Sequence, residues 1–295
     1  MPKIEKNSIK KNFFMNVLLT LSTFIFPLIT FPYVSRVLTP IGTGKVAMAT
    51  SFVQYFIMFA MLGIPTYGVR AVAKVRDNRE KLTKTVHELL IISGITSLIA
   101  YVILFACIPT IPKLAAEKPL YYLMSSTIFL NCIGIEWMYR GLEQYTYITV
   151  RSIIFKFIAL VAMFLFIHNQ DDYIIYGATT IVASSLSYVL NFVNARKYID
   201  MKWVGGYDFK PHFKAVAIFL AMAVATTVYT HLDTVMLGFM TTDTDVGYYN
   251  AAVKIKNVLV SIVTSLGVVL LPRASYYVET NRMKDFKIIS AKALD

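Results

Sequence analysis

The chain has 295 residues, of which 57% are hydrophobic and 16% charged, and its mean hydropathy is +0.59. A soluble domain carries nearer 25% charge, so this composition excludes one and predicts an all-α integral membrane protein with many spans. The formal charge of +12 does not mark a nucleic-acid binder, because the Lys and Arg residues sit in short segments between apolar runs.

The first predicted span covers 13–36. No residue between Lys11 and Arg36 is charged, enough to cross a hydrocarbon core of roughly 30 Å as a helix. Asn16, Thr20, Thr23, Pro27 and Thr30 recur every three or four residues and so form one polar stripe. Two readings follow: the stripe lines a cavity, or its small hydroxyls pack against neighbouring helices. Pro27 and Pro32 each remove a backbone donor and predict a bend or break. The basic start MPKIEKNSIKK runs into a segment too long for a signal h-region, so no cleavable signal peptide is expected. Seven further spans are predicted over 46–67, 87–108, 119–139, 148–167, 173–194, 213–238 and 249–271, the last ended by Pro272.

The segments between spans alternate in charge. Residues 1–12, 70–84, 139–151, 194–214 and 273–295 hold 22 of the 29 Lys and Arg, and their counterparts hold four. The first set belongs inside, which predicts a cytoplasmic N terminus and makes eight spans self-consistent. The beginnings of the first and seventh spans echo each other, and Gly44 corresponds roughly to Gly247. An offset of about 200 residues, or six helices, predicts a parallel repeat about an axis along the membrane normal. The predicted division is a six-helix lobe over 1–194, a cytoplasmic linker over 195–212, and a partial second lobe over 213–295. A complete second lobe needs more chain than this, so the sequence reads as C-terminally truncated.

Ionisable groups at membrane depth tend to be functional. Asp233 stands out in YTHLDTVMLG, either hydrated near the outer end of its span or acting within a cavity. Glu136 has Arg140 four residues later, which favours an ion pair on one helix face. Lys156 either snorkels toward the inner surface or presents its charge inward, and Arg36 and Lys254 lie near the predicted outer face. Polar faces recur in the sixth span, with Thr180, Ser184, Ser187, Asn191 and Asn194, and in the seventh, with Thr226 and Thr230. Several striped helices together predict a water-accessible cavity. Cys107 and Cys132 fall in predicted spans without CxxC spacing, and the four His residues are dispersed, so no disulfide framework, metal site or cofactor is expected. Gly42-Thr-Gly44-Lys follows a membrane helix rather than a strand, and no GxSxG, HExxH or Walker A motif is present, so an enzyme is not expected.

Three stretches carry a resemblance: PLITFPYVSRVLTPIGTGKVAMATS, GIEWMYRGLEQYTYITVRSIIFK, and HLDTVMLG with VGYYNAAVKIKN and LPRAS. Together the chain resembles the Wzx-type polysaccharide flippases, a branch of the superfamily that includes multidrug-and-toxin extruders and lipid II flippases (a MATE/MurJ-like fold). The resemblance implies two six-helix lobes around a cavity that opens alternately to each side. The implied cargo is an oligosaccharide repeat unit (of O-antigen or capsule) on undecaprenyl pyrophosphate, moved across a bacterial cell membrane under a proton or sodium gradient, with a polysaccharide polymerase as a possible partner. It makes Arg36, Lys156 and Lys254 candidates for the pyrophosphate and Asp233 and Glu136 candidates for coupling, with Asn16, Thr20, Thr23 and Thr30 lining the cavity. Two alternatives stand beside it: a cation-coupled multidrug antiporter of the same fold, and a membrane enzyme acting on lipid-linked sugars. Efflux of a lipophilic amine would favour the first, and turnover of a lipid-linked sugar without translocation the second.

Overall fold

The computed structural model describes residues 9–257, 259–260 and 283. It is an all-α, multi-pass membrane protein, with no strand among the described residues. The helices are α1 (Ile9–Val37), α2 (Thr39–Met61), α3 (Ile64–Val75), α4 (Arg79–Thr110), α5 (Pro112–Ala115), α6 (Lys118–Gly134), α7 (Glu136–Gly141), α8 (Tyr145–Phe166), α9 (Tyr173–Ile181), α10 (Tyr188–Asn194) and α11 (Lys210–Met240). Six stretches are long and apolar enough to span a membrane: Lys11–Val37, Thr39–Val75, Arg79–Thr110, Tyr145–Phe166, Gln170–Lys197 and Lys210–Met240. They correspond to the first, second, third, fifth, sixth and seventh predicted spans. The fourth, expected as one helix over 119–139, is interrupted at Ile135. About half of the eighth, over 249–271, lies outside the described residues, as does Pro272.

Helix ends follow their caps rather than the edges of the apolar runs. α4 starts at Arg79 instead of 87, because the Asn78 side chain accepts from the Lys81 amide at 3.0 Å. α2 starts at Thr39 instead of 46, with Pro40 in its first turn. Of the bend or break expected near Pro27 and Pro32, no break occurs: α1 is one helix through both. Its partner holds it. Thr149 donates to the Met15 carbonyl at 2.9 Å, Lys156 to Ser22 Oγ at 2.7 Å, and the Tyr33 hydroxyl to the Ile167 carbonyl at 2.7 Å. All three pairs are separated by 134 residues, so α1 and α8 run parallel in one register across both prolines.

The connections gather at two ends, as the charge pattern predicts. At the basic end Arg79 binds Asp200, and Arg76 binds Glu143, each at 2.7 Å. At the far end Lys45 meets Glu117 at 2.5 Å and Lys113 meets Asp243 at 2.7 Å. Gly44 and Gly247, aligned by the repeat, come together there: a Cβ on Gly44 would strike the Asp243 carbonyl and the Gly247 amide, and one on Gly247 the Pro40 carbonyl. By contact the chain divides into residues 1–248 and 249–295. In the first unit three apolar clusters form, one around Leu82, Leu89, Met138 and Tyr139, one around Val53, Leu104, Ile108 and Ile128, and a smaller one of Val34, Leu38, Met163 and Ile167. α4 leaves Ile95, Leu98, Ile99 and Val102 exposed, an apolar face suited to lipid.

Candidate functional site

Two helices of the first unit are interrupted, and the interruptions adjoin one cavity. Between α2 and α3, Leu62 and Gly63 both adopt positive φ, 47° and 75°. Between α6 and α7, Ile135 has φ 36° and is 1% exposed. A buried β-branched residue in this region is strained by an estimated 1–3 kcal/mol and persists only where its surroundings enforce it. Here the Tyr188 ring lies where a Cβ on Gly134 would be, so only glycine admits it. Asn191 Nδ2 donates to the Gly134 carbonyl at 2.6 Å, satisfying an acceptor that the break frees. The Tyr139 hydroxyl donates back to the Asn191 carbonyl at 2.6 Å. The sixth-span polar row is thus partly a clamp on the fourth span, with Asn191 fully buried.

The cavity has a volume of about 450 Å³ and is lined by Thr66, Arg70, Asn131, Glu136, Arg140 and Tyr188, among others. That size falls within the roughly 300–1,000 Å³ typical of ligand pockets. Glu136 Oε1 accepts from Arg140 Nε at 3.1 Å and Nη2 at 2.8 Å, and Oε2 from Arg151 Nη2 at 2.7 Å. Arg151 is 4% exposed. Its guanidinium lies 5.8 Å from the Tyr147 ring centroid and 5.4 Å from that of Tyr188. Its Nε and Nη1 have no hydrogen-bond partner among the described residues. Arg70 sits over the Phe219 ring at 5.0 Å. Two guanidiniums therefore clasp one carboxylate, and Arg70 adds a third cation to the same cavity wall, an arrangement that attracts anions.

The sequence candidates are distributed unevenly. Glu136 is in the cavity wall, paired with Arg140 as its spacing predicts and also with Arg151. Lys156, half-buried on α8, donates to Ser22 rather than reaching the basic end. Arg36 is exposed at the far end of α1, fourteen residues beyond Ser22 and hence about 21 Å along the axis. Lys254 lies in the second unit, in a helical stretch. Asp233 is exposed on α11, and Tyr55 of α2 feels its charge. Thr20 and Thr23 are exposed and Asn16 and Thr30 partly so. Their hydroxyls bond locally, Thr20 to the Asn16 carbonyl, Thr23 to that of Thr20 and Thr30 to that of Pro27. At 100° per residue this stripe is turned well away from Phe14, Leu21, Ile25 and Ile29, the exposed apolar face of the same helix. On α11, Thr226, Thr230 and Asp233 are exposed, whereas His212, Val216, Thr227, Thr234 and Gly238 are buried.

Arg70 and Arg151 were not singled out, since each reads as part of a basic connecting segment. The same is true of a buried polar chain at the basic end. The Tyr67 hydroxyl and His212 Nδ1 lie 2.7 Å apart, and His212 Nε2 lies 2.8 Å from Glu88 Oε2. Glu88 Oε1 accepts from the Asp208 amide at 2.7 Å. This chain joins α3, α4 and the start of α11. Among the described residues no group of three or more His, Cys, Asp or Glu is placed to hold a metal ion.

The sequence matches a family described as "Polysaccharide biosynthesis protein" over residues 9–278. Two curated relatives carry the name "Putative O-antigen transporter". One, from Escherichia coli (strain K12), is 24% identical over 290 residues, covering 96% of this chain and 69% of the relative. The other, from Shigella dysenteriae, is 23% identical over 270 residues, covering 90% and 67%. No solved structure matches the chain significantly.

Proposed function

Because the chain belongs to the polysaccharide biosynthesis protein family, we propose that it moves lipid-linked oligosaccharide units across a bacterial cell membrane. Membership bears out the resemblance to Wzx-type flippases, and the names of the relatives point to transport rather than catalysis. The cargo in this reading is an oligosaccharide repeat unit on undecaprenyl pyrophosphate, passed from the inner to the outer leaflet by alternating access and delivered to a polysaccharide polymerase. The basic end faces the cytoplasm together with the N terminus, as positive segments prefer.

The observation that carries this reading is the cavity between the two helix breaks. Its arginines sit at the basic end, at the level where a lipid-borne diphosphate enters from the inner leaflet. Arginine suits that group through paired N–H donors. The uncovered polar faces of α1 and α11 offer a path for sugar hydroxyls. A proton or sodium gradient drives the cycle. Glu136 is held by two guanidiniums and is poorly placed to exchange a proton, which leaves Asp233 as the coupling candidate.

The test expresses the 295-residue chain in a cell lacking its own flippase and measures surface polysaccharide and lipid-linked repeat units in each leaflet. Arg70→Gln and Arg140→Gln are expected to lower translocation about tenfold each, the value of one charge-assisted contact. Translocation at the unmodified rate in both variants would overturn the assignment of the cavity.

A further inference from the structure

We propose that Glu136 is a built-in stand-in for the anion that the cavity receives: its carboxylate occupies, between Arg140 and Arg151, the place that a phosphate or diphosphate group takes on binding. The proposal rests on the anion-transport reading of the same cavity and adds how its cationic wall is kept neutral enough to fold. Glu136 spends both oxygens on guanidiniums, one on each arginine. Arg140 converges Nε and Nη2 on the single oxygen Oε1, and the same two donors fit two oxygens of a phosphate. Arg151 gives Glu136 only Nη2, and its Nε and Nη1 lack acceptors among the described residues although the residue is only 4% exposed. Buried donors in that state are costly, and Glu136 already accepts three of the roughly four hydrogen bonds a carboxylate can take, so it cannot satisfy all of them. A diphosphate has more oxygens and more charge, so it completes the bonds that Glu136 leaves unmade. Arg70, in the same wall, adds a third cation that Glu136 does not engage.

A structural ion pair and a stand-in anion predict opposite signs for one substitution. Neutralising a purely structural carboxylate leaves anion affinity unchanged or lowers it by disordering the arginines. Neutralising a competitor raises it. The experiment measures binding of inorganic pyrophosphate to the purified full chain in detergent, by isothermal titration, with the melting temperature recorded for each variant. Glu136→Gln is expected to tighten pyrophosphate binding about tenfold, the scale of one lost competing contact. Glu136→Asp, which keeps a carboxylate for one arginine and shortens its reach, is expected to fall between wild type and Glu136→Gln, and it carries the test if Glu136→Gln does not fold. Arg140→Gln is expected to weaken binding. Adding phosphatidylglycerol to the micelles separates the sources of the phosphate: displacement of pyrophosphate assigns the place to a headgroup monophosphate, and no displacement to a diphosphate, both within the proposal. Unchanged or weaker binding in folded Glu136 variants, alongside weaker binding in Arg140→Gln, would overturn the stand-in role and leave the anion site intact. Absence of pyrophosphate binding in wild type and in both Glu136 variants would overturn both.

Discussion

One-to-one, part-solvated ion pairs occur at both ends of the bundle, Arg79–Asp200 and Arg76–Glu143 among them, but the basic end also buries charge. At the far end lysines and carboxylates pair one to one, Lys45 with Glu117 and Lys113 with Asp243, and all four side chains keep 19–34% exposure. At the basic end Glu136 is shared between Arg140 and Arg151, and Arg151 is 3% exposed at its side chain. Paired, part-solvated ions fasten segments at small net gain. A buried surplus of one sign is costly unless something neutralises it. The contrast separates contacts that hold the fold from contacts that await a ligand.

The largest effect is expected from Arg151→Ala. It removes a buried guanidinium, strips Glu136 of one partner and opens space beside Tyr147 and Tyr188. A loss of about 3–5 kcal/mol is expected in a detergent unfolding titration. His212→Ala comes next. It leaves the Glu88 carboxylate, itself 5% exposed, with only the Asp208 amide, at about 3 kcal/mol by the same measurement. Lys113→Ala at the far end is expected to cost under about 1 kcal/mol, because both it and Asp243 retain water. A cost equal to that of Arg151→Ala would erase the distinction between the ends.

The smallest effect concerns pH. The Arg79 guanidinium holds the Asp200 carboxyl below the usual carboxylate range. A lowered value means that the pair's contribution is complete above the unfolded carboxyl's titration, about pH 4. It is lost only as pH falls through the lower folded value. Carbon NMR of labelled Asp200 should therefore show titration below pH 4, and Arg79→Gln should return it to the ordinary range.

Much of the fold was legible in residue order. Apolar runs marked all six of the described candidate spans, and Lys and Arg marked the connections that share an end, because hydropathy and charge add up locally. Gly44 and Gly247 were aligned from a weak repeat, and they meet in space. The site was less legible. Glu136 and Arg140 were found from their spacing of four. Arg151 was counted with the basic segments, since nothing local says that two tyrosines and a carboxylate enclose it. Whether Lys156 snorkels or turns inward stayed open in the sequence because its acceptor, Ser22, belongs to a helix 134 residues away.

By itself the sequence determined an all-α membrane protein, its alternating ends, and a family resemblance carried on motifs along the whole chain. Only the tertiary structure decided where the fourth span breaks. Ile135 is no helix breaker, and Gly134 before it is tolerated in helices. The break exists because Tyr188 fills the space over Gly134 and Asn191 takes its carbonyl, both from a helix more than fifty residues later. Local propensity cannot register such partners, and it is this break that turns Glu136 and its arginines toward one cavity.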